Sequence, residues 1–286
     1  MKVRDIVGRK TFFDALEREL DLQKEYVKID SLILTTTNWY GQTFNSCIEY
    51  YFKNWKDKKN YLTFYELRET FGYTYECNRN CYKITGHINS NNDFFIYCEM
   101  ILNIVKNVIP KEEYQYLEET MKQILEIICY DLEALNYKVC TKSDGKLIIE
   151  QKDAVVTEVV DIVEPSLADS ILEYNHYVLR GNIEEKKSIL LKIINSLEPK
   201  LPELKRINSG LFSDYSYLIN NMNLRHNNCD SNDEKKYNEK FSKLSDLEKE
   251  EWYDETFQMC LLMFLLLKHQ DRKDKINAMK RKDDVL

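Results

Sequence analysis

Along this chain apolar residues recur at helical spacing in segment after segment, and they switch to alternation only once. Residues about 10–34 carry Phe13, Leu16, Leu20, Tyr26 or Val27, and Leu32 near a 3.6-residue period, with charges between them, which predicts a helix. Thr35-Thr36-Thr37-Asn38 breaks the pattern, and a second helix is predicted over Thr43–Asp57, with Phe44, Cys47, Tyr51 and Trp55 on one face. Thr63 followed by Glu66 fits a capping box, opening a short helix through Phe71. Gly72–Asn92 has no period. Asn91 or Asn92 is placed to cap a helix through Val108. Pro110 opens the next, to about Leu135, with Tyr114, Leu117, Met121, Leu125, Ile128 and Leu132 in one stripe.

The period then changes. Tyr137–Val139 and Lys146–Gln151 alternate around an Asp144-Gly145 turn, which predicts a β-hairpin. The β-branched run Ala154–Val163 is read as a further strand or a connector. Pro165 restarts helices: Ser166–Arg180, closed by Gly181; Ile183–Ile207, kinked or split by Pro199 and Pro202; and Leu211–Leu224. Asn227–Lys240 is too polar to bury. Ser245 with Glu248 makes another capping box, opening a helix to Lys273 or beyond. Within it, Leu247–Lys268 is apolar on nearly every side, which predicts an enclosed central helix. The fold class is therefore mainly α: an N-terminal mostly helical domain (1–136), a β-hairpin and connector (137–163), and a C-terminal helical bundle (164–286).

Composition supports this. The 286 residues include only 7 Gly and 4 Pro, few for a turn-rich β fold, and hydrophobic residues at 43% suffice for a sizeable core. The net charge of -7 argues against global steering onto nucleic acid, so any such contact needs a local basic patch. The N-terminus lacks a signal-like apolar core, and the longest apolar run, Met259–Leu267, is less than half a membrane span. Eight scattered Cys fit free thiols in a reducing cytosol, so a cytoplasmic protein with no membrane partner is expected.

No glycine-rich phosphate loop is present, and no cofactor is implied. Cys77, Cys81 and His87 offer zinc-ligand types on one loop, but a structural site needs four ligands; Cys98 could join only from a helix one turn in. Ordinary cysteines, and no metal, are expected. The acidic pairs Glu17/Glu19, Glu112/Glu113, Glu118/Glu119 and Glu184/Glu185 read as solvated faces, and the basic tail Lys268–Lys282 as the electrostatic complement of a helix C-terminus.

The segment Asn220–Asn228, NNMNLRHNN, is different. Five asparagines surround Arg225-His226, and Asn is a poor helix former. A permanent forked cation beside an imidazole suits an anionic phosphate: Arg225 would neutralise developing charge, His226 would act as acid or base, and Asn223, Asn227 and Asn228 would position phosphate or base. The bland alternative is a helix end where Asn caps, Arg225 pairs with Asp230 or Asp233, and His226 is incidental.

Residues about 165–275 resemble the HEPN superfamily of the bacterial abortive-infection type. The likeness lies in order and pattern: an amphipathic helix, the polar motif N-L-Arg225-His226-N-N, a hydrophilic insert, then the apolar terminal helix EEWYDETFQMCLLMFLLLKHQ. The resemblance implies a metal-independent endoribonuclease or RNA-binding protein of phage-defence or toxin type, with a site shared across a homodimer; a protein partner recruited by the N-terminal domain belongs instead to the alternative, non-catalytic reading. Arg225 matches the family arginine and His226 its polar position. The family histidine would fall further on, around Asp230–Asn232, where this chain reads Asp-Ser-Asn. Either His226 takes the proton-transfer role or the site binds without cutting. The alternative function is a non-catalytic helical dimerisation or protein-interaction module.

Overall fold

The computed structural model describes residues 20–37, 41–78, 81–110 and 114–283, and the chain divides into two compact units, Met1–Tyr137 and Lys138–Leu286. It is mainly α-helical, with two small two-stranded sheets among the described residues.

In the first unit, α1 (Leu22–Thr35) begins where the Asp21 carboxylate accepts from the Lys24 N–H. The earlier part of the helix expected from residue 10 lies outside the described residues. α2 (Phe44–Phe52) and α3 (Phe64–Thr70) start at Thr43 and Thr63, each hydroxyl accepting from the amide three residues on. α4 (Asn91–Asn107) is capped by Ser90, one residue before the expected asparagines. α5 (Tyr114–Ala134) buries Met121, Ile124, Ile128 and Leu132; Ile124 takes the inward place expected for Leu125. The stretch read as irregular contains a hairpin, β1 (Tyr75–Asn78) against β2 (Cys81–Ile84), antiparallel with Cys77 opposite Tyr82 and Asn78 opposite Cys81. Its side chains are mostly exposed, so no apolar alternation marks it in the sequence. After the hairpin the backbone passes so close to Tyr26 that a Cβ on Gly86 would lie 2.6 Å from its hydroxyl oxygen. At the centre, fully buried Arg68 donates to Asp30 at 2.6 Å and to the Tyr73 carbonyl at 3.0 Å, while Tyr97 donates to Asp30 at 3.0 Å.

The expected hairpin is formed by β3 (Tyr137–Thr141), all but its first residue in the second unit, and β4 (Leu147–Gln151), its turn closed by Lys142 N–H donating to the Lys146 carbonyl at 2.9 Å. The run read as a further strand or a connector is instead a helix, α6 (Ala154–Val160). Asp153 overrides β propensity there: one carboxylate oxygen accepts from the Val155 and Val156 amides, and Val156 and Val159, three apart, are both buried. α7 (Pro165–Tyr174) stops short of the expected Arg180, and a short 3-10 turn (Tyr177–Leu179) follows. Then come α8 (Ile183–Leu197) and, after a turn containing Pro199, α9 (Leu201–Ile207), so the prolines split the expected helix. α10 (Ser209–Asn221), the short α11 (Glu239–Ser242) and α12 (Asp246–Asp283) complete the unit. The Ser245–Glu248 box forms reciprocally: the Glu248 carboxylate accepts from the Ser245 N–H at 2.8 Å, and the Ser245 hydroxyl accepts from the Glu248 N–H at 3.3 Å.

α12 packs on α6, α8, α9 and α10, burying Tyr253, Thr256, Phe257, Cys260, Leu261, Met263 and Phe264. Its enclosure is one-sided, contrary to the expected all-round burial. Glu248, Glu251, Trp252, Glu255 and Leu262 face solvent, and every described side chain from Asp271 to Lys280 is exposed. Among the described residues no helix is long and apolar enough to cross a membrane.

Candidate functional site

The Arg225-His226 loop is built by asparagines. α10 starts on Asn208, whose side chain accepts from the Leu211 N–H at 3.1 Å. It ends where the Arg225 N–H donates to the Ile219 carbonyl at 3.1 Å and Asn223 adopts φ 55, a left-handed conformation that Asn tolerates better than most residues. Asn228, only 1% exposed, ties the loop together. Its side-chain amide donates to the Asn220 carbonyl at 2.9 Å and to the Lys236 carbonyl at 2.6 Å, and its side-chain oxygen accepts from the Asn223 N–H at 2.8 Å. Asn223 returns the bond, its side-chain oxygen accepting from the Asn228 N–H at 3.2 Å. Asn227 accepts from the Cys229 N–H at 3.3 Å, and Asn238 donates to the Asn221 carbonyl at 3.1 Å. Buried backbone groups that would lack partners are thereby satisfied inside the loop.

The side chains proposed for chemistry lie at its rim. Arg225 is exposed and its guanidinium pairs with Glu198, at the turn between α8 and α9. The acids close in sequence are engaged elsewhere: Asp230 accepts from Asn232, and Asp233 stands 4.0 Å from Lys236. His226 is half-buried, and its carbonyl accepts from the Asn228 N–H at 3.0 Å. Asn223 also hydrogen-bonds Tyr253, whose phenol is raised to about 12 chiefly by burial, with the charges of Glu184 and Cys229 adding to the rise and the Asn223 bond opposing it.

A second polar assembly, invisible to local motif reading, lines a cleft of about 600 Å³ in the same unit. At its floor Lys186, 6% exposed, donates to Glu250 at 2.7 Å and to both oxygens of Asp254 at 2.8 and 3.1 Å, and its ammonium lies 5.4 Å from the Tyr174 ring centroid. The Tyr174 hydroxyl donates to Asp254 at 2.9 Å, and the Gly181 N–H, at φ 77, points between the Glu250 oxygens, 3.0 Å from each. Burial, the largest influence, pushes the Glu250 carboxyl up, yet Lys186 and the Gly181 N–H together hold it below the usual carboxylate range. Burial beside Asp254 raises the Tyr174 phenol far above its ordinary value. Lys186 is thus held between the carboxylates of Glu250 and Asp254. The one clue in the sequence is a lysine on the same helical stripe as Ile189 and Ile193.

The remaining candidates are dispersed. Cys77 and Cys81 occupy adjacent rungs of the β1–β2 ladder, so they project from opposite faces and do not converge. Among the described residues no group of three or more His, Cys, Asp or Glu is arranged to hold a metal ion. Glu118, Glu119, Glu184 and Glu185 lie on exposed faces, whereas Glu17, Glu19, Glu112 and Glu113 fall outside the described residues. Comparison of the chain with protein-family models, curated proteins and solved structures returned no match.

Proposed function

We propose that this chain is a non-catalytic helical interaction module. One observation carries this reading: α12, 38 residues long, keeps one face in the core and presents the other along its whole course, with ten residues from Asp271 whose described side chains are exposed on every side. A rod of this kind, about 57 Å at 1.5 Å per residue, offers a long contact surface anchored in a packed unit. Trp252 at 41% exposure, Ile276 at 50% and Met279 at 66% are large apolar groups available on it. The asparagine loop supports the same reading, because Asn223 and Asn228 hold each other and the end of α10.

The second reading is RNA binding or cleavage of the abortive-infection type at Arg225 and His226. It draws on the exposure of Arg225 beside a half-buried imidazole, two groups that water reaches together. An RNA-degradation assay on wild type, Arg225→Ala and His226→Ala separates the two. The interaction-module reading expects no cleavage by any of the three. Cleavage by wild type that both substitutions abolish overturns it.

A further inference from the structure

The solvent-facing side of α12 carries a charge gradient. Among the described side chains, Asp246, Glu248, Glu251 and Glu255 are exposed toward its N-terminal end, and Arg272, Lys273, Lys275 and Lys280, with Asp271, toward its C-terminal end. Side chains at three- and four-residue spacing share a helix face. Glu248, Trp252, Glu255, Leu262, Lys273 and Lys280 follow that spacing and are all exposed. The middle of the stripe, between the acidic and basic ends, is apolar: Met259, Leu262 and Leu266 lie there, Met259 and Leu266 only partly buried against the unit's own core.

We infer that two copies of this chain pair through α12 in antiparallel fashion about a two-fold axis near Phe264. This rests on the interaction-module reading and names its partner as a second copy. Charge complementarity selects the orientation. A parallel pair would set acid against acid and base against base, whereas an antiparallel pair sets each acidic half on a basic half. In a two-fold contact residue i meets j and j meets i. With the axis at residue 264, Glu255 meets Lys273 and Glu248 meets Lys280, while Trp252 meets Ile276 and Leu262 meets Leu266. Each pairing occurs twice per dimer. The flank of the helix is already steadied within its own copy, because Arg272 donates to Glu158 on α6 at 3.0 Å.

The test measures molar mass by light scattering on the full chain at micromolar concentration, with circular dichroism as a check on folding. Glu255 and Lys273 are exposed, so exchanging their charges leaves the core untouched. Wild type is expected to be a dimer. Glu255→Lys and Lys273→Glu each place two like-charge contacts in it and should raise its dissociation constant at least about tenfold. The double variant Glu255→Lys/Lys273→Glu restores opposite charges and should restore the dimer. A monomeric wild type, single variants that dimerise as wild type does, or a double variant that stays monomeric overturns the antiparallel pairing. A monomeric chain that leaves RNA intact overturns this inference alone; RNA cleavage lost in Arg225→Ala overturns the module reading at any molar mass.

Discussion

Each unit buries an ion pair, and the two are kept differently. In the first, Arg68 and Asp30 are both fully sealed, ringed by Tyr26, Tyr73 and Tyr97. In the second, Lys186 is nearly buried between two carboxylates, Glu250 with a side chain 11% exposed and Asp254 with one 50% exposed at a cleft. Desolvating a charge is costly unless a partner and hydrogen bonds replace water. The sealed pair depends wholly on its protein partners, whereas the cleft pair can draw on solvent when a partner is lost.

The sharpest test removes one member of the sealed pair. Asp30→Ala strands a buried guanidinium and should cost about 3–5 kcal/mol, read as a lowered denaturation midpoint of the first unit. The matching change in the second unit, Lys186→Met, leaves Asp254 open to the cleft and Glu250 still accepting from the Gly181 N–H, and should cost less, about 1–3 kcal/mol. Equal losses would erase the distinction.

Titration extends the contrast. Asp131, in the first unit, is buried with one carboxylate oxygen lacking a hydrogen-bond partner. Burial, with Glu25 adding and Lys28 opposing, pushes its carboxyl up to about 7. The folded state therefore holds this proton more tightly than the unfolded chain, and the stability it contributes is complete below the ordinary value of 3.8 and is lost as pH rises through about 7. Glu250 runs the other way. Its folded carboxyl is depressed, so its contribution is present above the ordinary 4.5 and is lost as pH falls through the folded value. Between about pH 5 and pH 8 the first unit should weaken and the second should not, and Asp131→Asn should flatten the first unit's profile. Denaturant midpoints measured for each unit's transition check this. The smallest effect is expected at the rim of the asparagine loop: Arg225→Ala removes an exposed ion pair and should change stability by less than about 1 kcal/mol. A larger loss, in the same denaturation assay, would mean that the Glu198 contact holds the loop.

What the sequence made legible was local. The Thr63 and Ser245 caps and the Asp144-Gly145 turn rest on groups a few residues apart, and they stand where the pattern put them. What escaped depends on distant partners or on local chemistry that overrides propensity. A valine-rich run became helical because Asp153 caps it and the core takes two of its valines. Arg225 found its acid at Glu198, earlier in the chain, rather than at Asp230 or Asp233. The Lys186 cluster joins α8 to α12 across more than sixty residues, a distance over which spacing rules carry no information. The asparagines were conspicuous, but whether they face a ligand or one another is decided by tertiary packing.

Trp252, Tyr253 and Asp254 are consecutive, and successive residues on an α-helix are turned about 100° from one another. The first looks outward, the second touches the asparagine loop through Asn223, and the third closes the floor of the cleft. The outer face, the loop contact and the cleft thus meet within a single turn of backbone.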